Sequence, residues 1–291
     1  MSQFSGKTAL ISGGGEGIGL SIAQALGKEG MNIVLADIDQ GNLDSAKAQL
    51  EQASVPVLAV KLDVADAAQW QEAVDLTIET FGKIHMLVNN AGVGGETGPL
   101  EGQQPDGWQW SLDVNLLGVV KGAQAVVPTI KAQGEGGWIV NVASMAGMGG
   151  VPFGGAYTAT KFAVVGLSEG WAMELGKSKI AVSVLCPGFV KTRIHESDRN
   201  RPESETSSIS MANINDKARE QSKQLVENGI DVSIVGERTV EALKAGEFYI
   251  FTHPNFQKAM QKRAKAIDDA MTRAAASPLL EHIVDMPIET F

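Results

Sequence analysis

Seven short apolar runs recur along the chain, at residues 8–12, 32–36, 55–60, 85–88, 138–142, 180–185 and 248–251. Each is rich in Val and Ile and bounded by Gly, Pro, Asn or Asp, the form of a strand buried on both faces of a parallel sheet. Longer stretches lie between them, at 18–27, 42–53, 67–81, 108–130 and 156–176. Their apolar positions repeat at three and four, the spacing of a helix with one apolar face. Alternation of this kind predicts an α/β fold, a doubly wound parallel sheet of seven strands with helices on both faces.

Two stretches break the alternation. Residues 193–229 are highly charged and contain no strand, which reads as a lid over a binding site, with a helix expected over 219–227. Ile194, Ile209, Met211 and Ile214 are its candidate inward residues. The second stretch, 253–291, follows the last strand. Phe256, Met260, Ala264, Ile267 and Met271 fall at steps of 4, 4, 3 and 4, one face of a helix, with Asn255 behind Pro254 as the expected N-cap. That face either packs on its own core or meets a partner subunit. The whole chain, 1–291, reads as one domain with a lid and a C-terminal helical extension.

Composition narrows the function classes. Lys and Arg total 24 and Asp and Glu 34, a net charge of −10. An acidic chain is poorly suited to nucleic acid or an anionic membrane surface. With 44% hydrophobic residues there is material for a large core, so disorder is excluded. The single cysteine, Cys186, forms no internal disulfide and asks for no oxidising compartment. The polar Met1–Lys7 segment runs into an apolar stretch too short for a signal peptide or a membrane span, so a soluble cytoplasmic protein is expected. Four scattered histidines and one cysteine make no recognisable metal-ligand set, and no metal is expected.

Glycine is in excess, 33 of 291 residues, and its placement carries chemistry. Strand one leads into Ser12-Gly13-Gly14-Gly15-Glu16-Gly17-Ile18-Gly19, and a helix follows at once. Glycines allow a tight turn and close approach of a ligand, and the helix N-terminus offers free N–H groups to a pyrophosphate. The plain alternative is a tight turn without a ligand. Strand two ends at Asp37, eighteen residues past Gly19, where a carboxylate accepts hydrogen bonds from ribose hydroxyls and repels a 2′-phosphate. Ile38 follows, Glu16 adds a second carboxylate, and no base adjoins either in sequence, so NAD is expected over NADP. Alternatively, Asp37 only caps the next turn.

One of two tyrosines, Tyr157, has Lys161 four residues on in a helical context, so both side chains share a helix face. An ammonium beside a phenol favours phenolate and makes a general base for an alcohol proton. Strand five ends in Val142-Ala143-Ser144 and strand four in Asn89-Asn90-Ala91-Gly92, at the carboxyl edge where open α/β sheets bind ligands. Asn115 lies within the 108–130 helical stretch. Read alone, Ser144 is a helix cap, Asn90 a turn residue and Asn115 a helix-bending core amide.

Together these segments resemble the short-chain dehydrogenase/reductases, in the subgroup with a GxxxGxG loop and a YxxxK pair. The likeness covers roughly residues 5–252. It implies a Rossmann-type fold with bound NAD. By resemblance, Gly13, Gly15, Glu16, Gly17, Ile18 and Gly19 cradle the phosphates, and Asp37 and Ile38 meet the adenosine ribose. Asp63 and Val64 contact the adenine, and Asn90, Ala91 and Gly92 form the strand-four edge. Pro187, Gly188, Val190 and Thr192 hold the nicotinamide amide. Asn115, Ser144, Tyr157 and Lys161 match the catalytic tetrad. The implied mechanism has Tyr157 as general base, with Ser144 bonding the substrate oxygen. Lys161 lowers the tyrosine pKa and binds the nicotinamide ribose, and Asn115 holds a water. Hydride passes between the carbinol carbon and nicotinamide C4.

The expected substrate is a secondary alcohol or ketone with a bulky apolar or aromatic body, because Met145, Met148, Val151, Phe153 and Phe189 flank the reacting residues. The tail from Gly246 to Pro254 is similar to bacterial dehydrogenases of benzylic alcohols and lignin-type aryl ethers. A hydroxysteroid or general carbonyl/3-oxoacyl reductase shares the same core. A non-catalytic dinucleotide sensor and an epimerase or dehydratase are the remaining readings. The resemblance implies a homo-oligomer, dimer or tetramer.

Overall fold

The computed structural model describes residues 2–201 and 216–287. Its contacts gather into two compact units, Met1–Thr252 and His253–Phe291. The first holds one seven-stranded sheet, ordered β3-β2-β1-β4-β5-β6-β7, and every strand pair in it is parallel. The strands are β1 (Thr8–Ser12), β2 (Asn32–Asp37), β3 (Val57–Lys61), β4 (Met86–Asn89), β5 (Gly137–Val142), β6 (Ile180–Cys186) and β7 (Tyr249–Phe251). All seven fall on the apolar runs. Strand β1 is wholly buried, as a run without polar alternation requires.

Helices α1 (Gly17–Lys28), α2 (Gln40–Gln52) and α3 (Ala67–Phe81) follow the first three strands. Asp39 and Asp66 cap α2 and α3, accepting from backbone N–H groups of Asn42 and of Ala68 and Gln69. The stretch expected as one helix over 108–130 is two, α4 (Pro105–Leu112) and α5 (Gly118–Gln133), joined by a π-helical turn over Asp113–Leu117. Helix α6 (Gly155–Leu175) carries Tyr157 and Lys161. In the expected lid, a 3₁₀ segment spans Ile194–Asn200 and helix α7 spans Asp216–Glu227. Ile209, Met211 and Ile214 lie outside the described residues. Helix α8 (Val232–Ala245) was not expected. It packs on α1, with Gly236 placed where any side chain would collide with Ser21.

Two apolar clusters cover the two faces of the sheet. Ile11, Leu35, Val88 and Leu185 belong to one, and Leu10, Val34, Leu87 and Ile139 to the other. At the amino edge, the buried His85 accepts the Thr8 N–H at Nδ1 (3.1 Å) while Nε2 faces Glu135 at 3.3 Å. Burial holds the imidazole below its ordinary pKa, against the opposing pull of Glu135.

In the second unit, α9 spans Gln257–Ala275 after a 3₁₀ turn at Pro254–Phe256. The cap position falls on Phe256 and makes no side-chain hydrogen bond, so the Asn255 cap is replaced by the tight first turn. No residue of α9 is buried. Among the described residues no helix is long and apolar enough to cross a membrane.

Candidate active site

A cavity of about 300 Å³ opens at the carboxyl edge of the sheet. The strand order reverses there, between β1 and β4, which is where α/β sheets bind ligands. Its lining includes Gly13, Glu16, Gly17, Ile18, Asp37, Ile38, Asp63, Val64, Asn90, Ala91, Gly92, Ser144, Tyr157, Lys161, Pro187, Gly188, Val190 and Thr192. Those positions come from six separate strand ends and, for Tyr157 and Lys161, from α6, and all were expected from the sequence.

The loop after β1 is built to be bare of side chains. A Cβ on Gly13 would lie 2.8 Å from Asn90 Nδ2, and one on Gly19 would strike the Gly13 carbonyl. Gly13 and Gly17 both adopt positive φ, 60° and 57°, a region glycine enters without strain. Asn90 fixes the loop by donating from Nδ2 to the carbonyls of Ser12 (3.0 Å) and Gly13 (2.9 Å). The Ser12 hydroxyl accepts from the N–H groups of Asn90 and Ala91 at 3.1 and 3.2 Å. Helix α1 starts behind Glu16, whose side chain makes no capping bond, so the first-turn N–H groups face the cavity.

Asp37 is partly buried, and Oδ2 accepts the Gly15 N–H at 3.0 Å. Burial raises its pKa, opposed by the N–H bonds from Asp39 and Gly15. A Cβ on Gly15 would press on this carboxylate at 3.0 Å, so Gly15, which is absent from the lining, serves as the seat of Asp37. Asp63 turns its carboxylate onto the Ala65 N–H (2.9 Å).

At the far end, Ser144 caps a 3₁₀ turn through a bond from the Ala146 N–H (3.0 Å), and its hydroxyl donates to the Pro187 carbonyl at 3.5 Å. Burial raises the Tyr157 pKa, and the Ser144 hydroxyl opposes that. Lys161 is buried, with Nζ donating to the Val142 carbonyl (2.9 Å) and lying 5.6 Å from the centre of the Tyr157 ring. Its own burial holds it down to about 8. Its ammonium is directed to this backbone carbonyl rather than to the phenol. Asn115 sits buried in the π-helical turn. Its amide bonds Val93 in both directions, 2.8 and 2.9 Å, and reaches Thr160 Oγ1 at 3.3 Å. Both polar atoms are engaged, and this side chain braces the β4 loop.

Comparison with known proteins decides the family. The sequence profile of the short chain dehydrogenases matches residues 7–203, more than half of the chain. The chain belongs to the short-chain dehydrogenase family. It is 31% identical over 278 residues to a C alpha-dehydrogenase of Sphingobium sp., covering 96% of this chain and 90% of the relative. It is 44% identical over 187 residues to a 3-alpha-(or 20-beta)-hydroxysteroid dehydrogenase of Mycobacterium tuberculosis, covering 64% and 70%. A solved short-chain dehydrogenase from Burkholderia phymatum, in complex with NAD, superposes with a TM-score of 0.89 at 37% identity, covering 92% and 96%.

In this short-chain dehydrogenase the apolar wall differs from the one expected. Met145, Met148, Val151, Phe153 and Phe189 do not line the cavity. Met145 is buried, while Val151, Phe153 and Phe189 are exposed at 49%, 56% and 39%. Phe153 holds a positive φ of 65°, and its carbonyl accepts the Gly98 N–H (2.9 Å). Val93, Trp110, Val114 and Val226 also line the cavity, none of them singled out from the sequence, together with Ile194, an expected inward residue of the lid. Sequence reasoning also missed the roof. Arg193 and Arg199 both pair with Glu16, so bases do stand beside that carboxylate, brought from 177 and 183 residues away. Arg193 also bonds Glu196 (2.7 Å), and Ser197 Oγ accepts the Gly94 N–H (2.8 Å). Nothing in the local sequence around Glu16 signals these partners.

Proposed function

We propose that this oxidoreductase uses NAD to interconvert a secondary alcohol and its ketone, on a substrate with a bulky apolar or aromatic body of the benzylic-alcohol type. The observation that carries the reading is that Ser144, Tyr157 and Lys161 line the same cavity as a glycine cradle that admits no side chain. Asp37 supports NAD. A half-buried carboxylate at the end of β2 suits two ribose hydroxyls and opposes a 2′-phosphate. Glu16 adds nothing to that discrimination, because its charge is met by Arg193 and Arg199. The NAD complex of the B. phymatum relative, similar over nearly the whole chain, supports the same choice.

NAD supplies the hydride acceptor, and the chain supplies position and proton handling. The cradle of Gly13, Gly17 and Gly19, with the α1 N-terminus, holds the pyrophosphate. Tyr157 takes the alcohol proton, and Ser144, in the same cavity, bonds the substrate oxygen and steadies developing charge. Lys161 is buried behind them. Once charged, it favours the phenolate and offsets the burial that raises Tyr157. Asn115 holds the β4 loop that forms the cavity floor.

Tyr157→Phe keeps the ring and removes the proton acceptor. Expected is a loss of about 10²–10⁴ in kcat with NADH binding retained. Unchanged turnover would reject Tyr157 as the proton acceptor, and NADH binding without turnover in the wild type would favour a dinucleotide sensor. A hydroxysteroid is the second reading, favoured by the 44% identity over 187 residues to a hydroxysteroid dehydrogenase. Assays with hydroxysteroids and aryl alcohols, followed by NADH absorbance, separate the two.

A further inference from the structure

We infer that the substrate carries a carboxylate, and that Arg201 binds it beside Trp110. The inference rests on the proposed alcohol–ketone reading and adds the chemical class of the substrate's distal group.

Arg201 follows the 3₁₀ segment that roofs the cavity. Its guanidinium stacks on Trp110, 5.3 Å from the ring centre. Trp110 lines the cavity that also holds Ser144 and Tyr157, and so does Asn200, the residue before Arg201. Among the described residues, the Arg201 atoms Nε and Nη2 are buried and have no hydrogen-bond partner. These two atoms form one edge of the guanidinium. Their N–H bonds run parallel, the side-on fork that receives both oxygens of a carboxylate.

An edge of this kind is costly to leave empty. A buried donor left unmade costs about 1–3 kcal/mol, and more when the group is charged. A guanidinium does not shed its proton to escape that cost. The other roof arginines are already satisfied, Arg193 by Glu16 and Glu196 and Arg199 by Glu16. Arg201 differs from them in having an aromatic face beneath it and a buried edge without a partner. Stacking on indole fixes the plane of the fork before an anion arrives, which lowers the ordering cost of binding. A planar two-oxygen anion fits this edge better than a tetrahedral one, which selects carboxylate.

The test compares matched probes that differ only in the acid. Turnover of 1-phenylethanol and 4-(1-hydroxyethyl)benzoate is followed by NADH absorbance. Binding of acetophenone and 4-acetylbenzoate to the NADH-loaded enzyme is followed by calorimetry, which needs no turnover. Wild type is expected to prefer each acid by about tenfold or more. Arg201→Met should abolish the preference through KM, with kcat and the neutral probes unchanged and the melting temperature held. Arg201→Lys should restore part of it. Equal binding of the two ketones to wild type overturns the inference, even if the alcohols turn over. So does an Arg201→Met variant that weakens acid and neutral probes alike. Preferential binding of the acid without turnover of either alcohol would keep the anion site and reject the dehydrogenase reading.

Discussion

The two sides of the cavity are made of different material. On the cradle side, residues 12–19 meet Asn90 and Asp37 through backbone groups, at distances that leave no space for a methyl group. On the roof side, residues 193–201 are held by long charged side chains and one serine, most of them partly exposed. Backbone contacts of the first kind are rigid and nearly independent of salt. Ion pairs of the second kind are weak singly, screened by salt and easily exchanged. Cofactor placement and substrate access therefore rest on different physics within one cavity.

Breaking the cradle should have the largest effect. Gly19→Ala drives a methyl group into the Gly13 carbonyl and toward Asn90. Overpacking of this kind costs about 1–3 kcal/mol, so NADH affinity measured by calorimetry should fall about 10- to 100-fold. Retention of wild-type affinity would mean that the loop yields, and the contrast between the two sides would collapse.

Breaking the roof should do less and do it differently. Glu16→Gln removes the carboxylate shared by Arg193 and Arg199 but keeps its size. Each partly exposed pair is worth about 0.2–1 kcal/mol. The NADH dissociation rate in stopped flow should then rise about two- to fivefold, and its dependence on ionic strength should flatten. Equal salt dependence in wild type and variant would show that the ion pairs do not hold the roof.

The smallest effect on the site should come from the opposite edge of the sheet. His85 is neutral in the fold because burial lowers its pKa, and neutral Nδ1 is what accepts the Thr8 N–H. Its folded pKa lies below the unfolded value of about 6.5, so the unfolded chain binds the extra proton. The stabilisation is complete above about pH 6.5 and is lost as pH falls below it toward the folded pKa. Denaturant midpoints should drop across that window. His85→Asn, which keeps an acceptor but does not titrate, should flatten the drop without changing NADH affinity. A variant that keeps the wild-type slope would assign it to other groups.

The frame of the cavity was legible in the sequence, and its contents only partly. Strand runs and the 12–19 loop are local signals, because burial on both faces and close backbone approach each leave a mark on neighbouring residues. Tyr157 and Lys161 share one helix turn and were found the same way. Helix α8 was missed because its buried face includes Gly236 and Thr239, small residues that carry no apolar signal. The π-helical turn at Asp113–Leu117 was read as continuous helix, since one inserted residue barely disturbs a period of three and four. The substrate wall was misplaced for another reason. Nearness in sequence to Ser144 put Val151 and Phe153 beside the site, but the chain turns them outward, while Trp110 and Val226 arrive from distant segments.

The reversal of strand order between β1 and β4 has a consequence for how the protein folds. The cavity draws on residues from Gly13 to Val226, so no N-terminal fragment of the growing chain contains it. A dinucleotide gives nothing to a half-made sheet and stabilises only the closed assembly, by about 2.7 kcal/mol at a hundredfold excess over its Kd. NAD in the surrounding solution thus acts as a late check on completion, rewarding the chain only after its last cavity strand is in place.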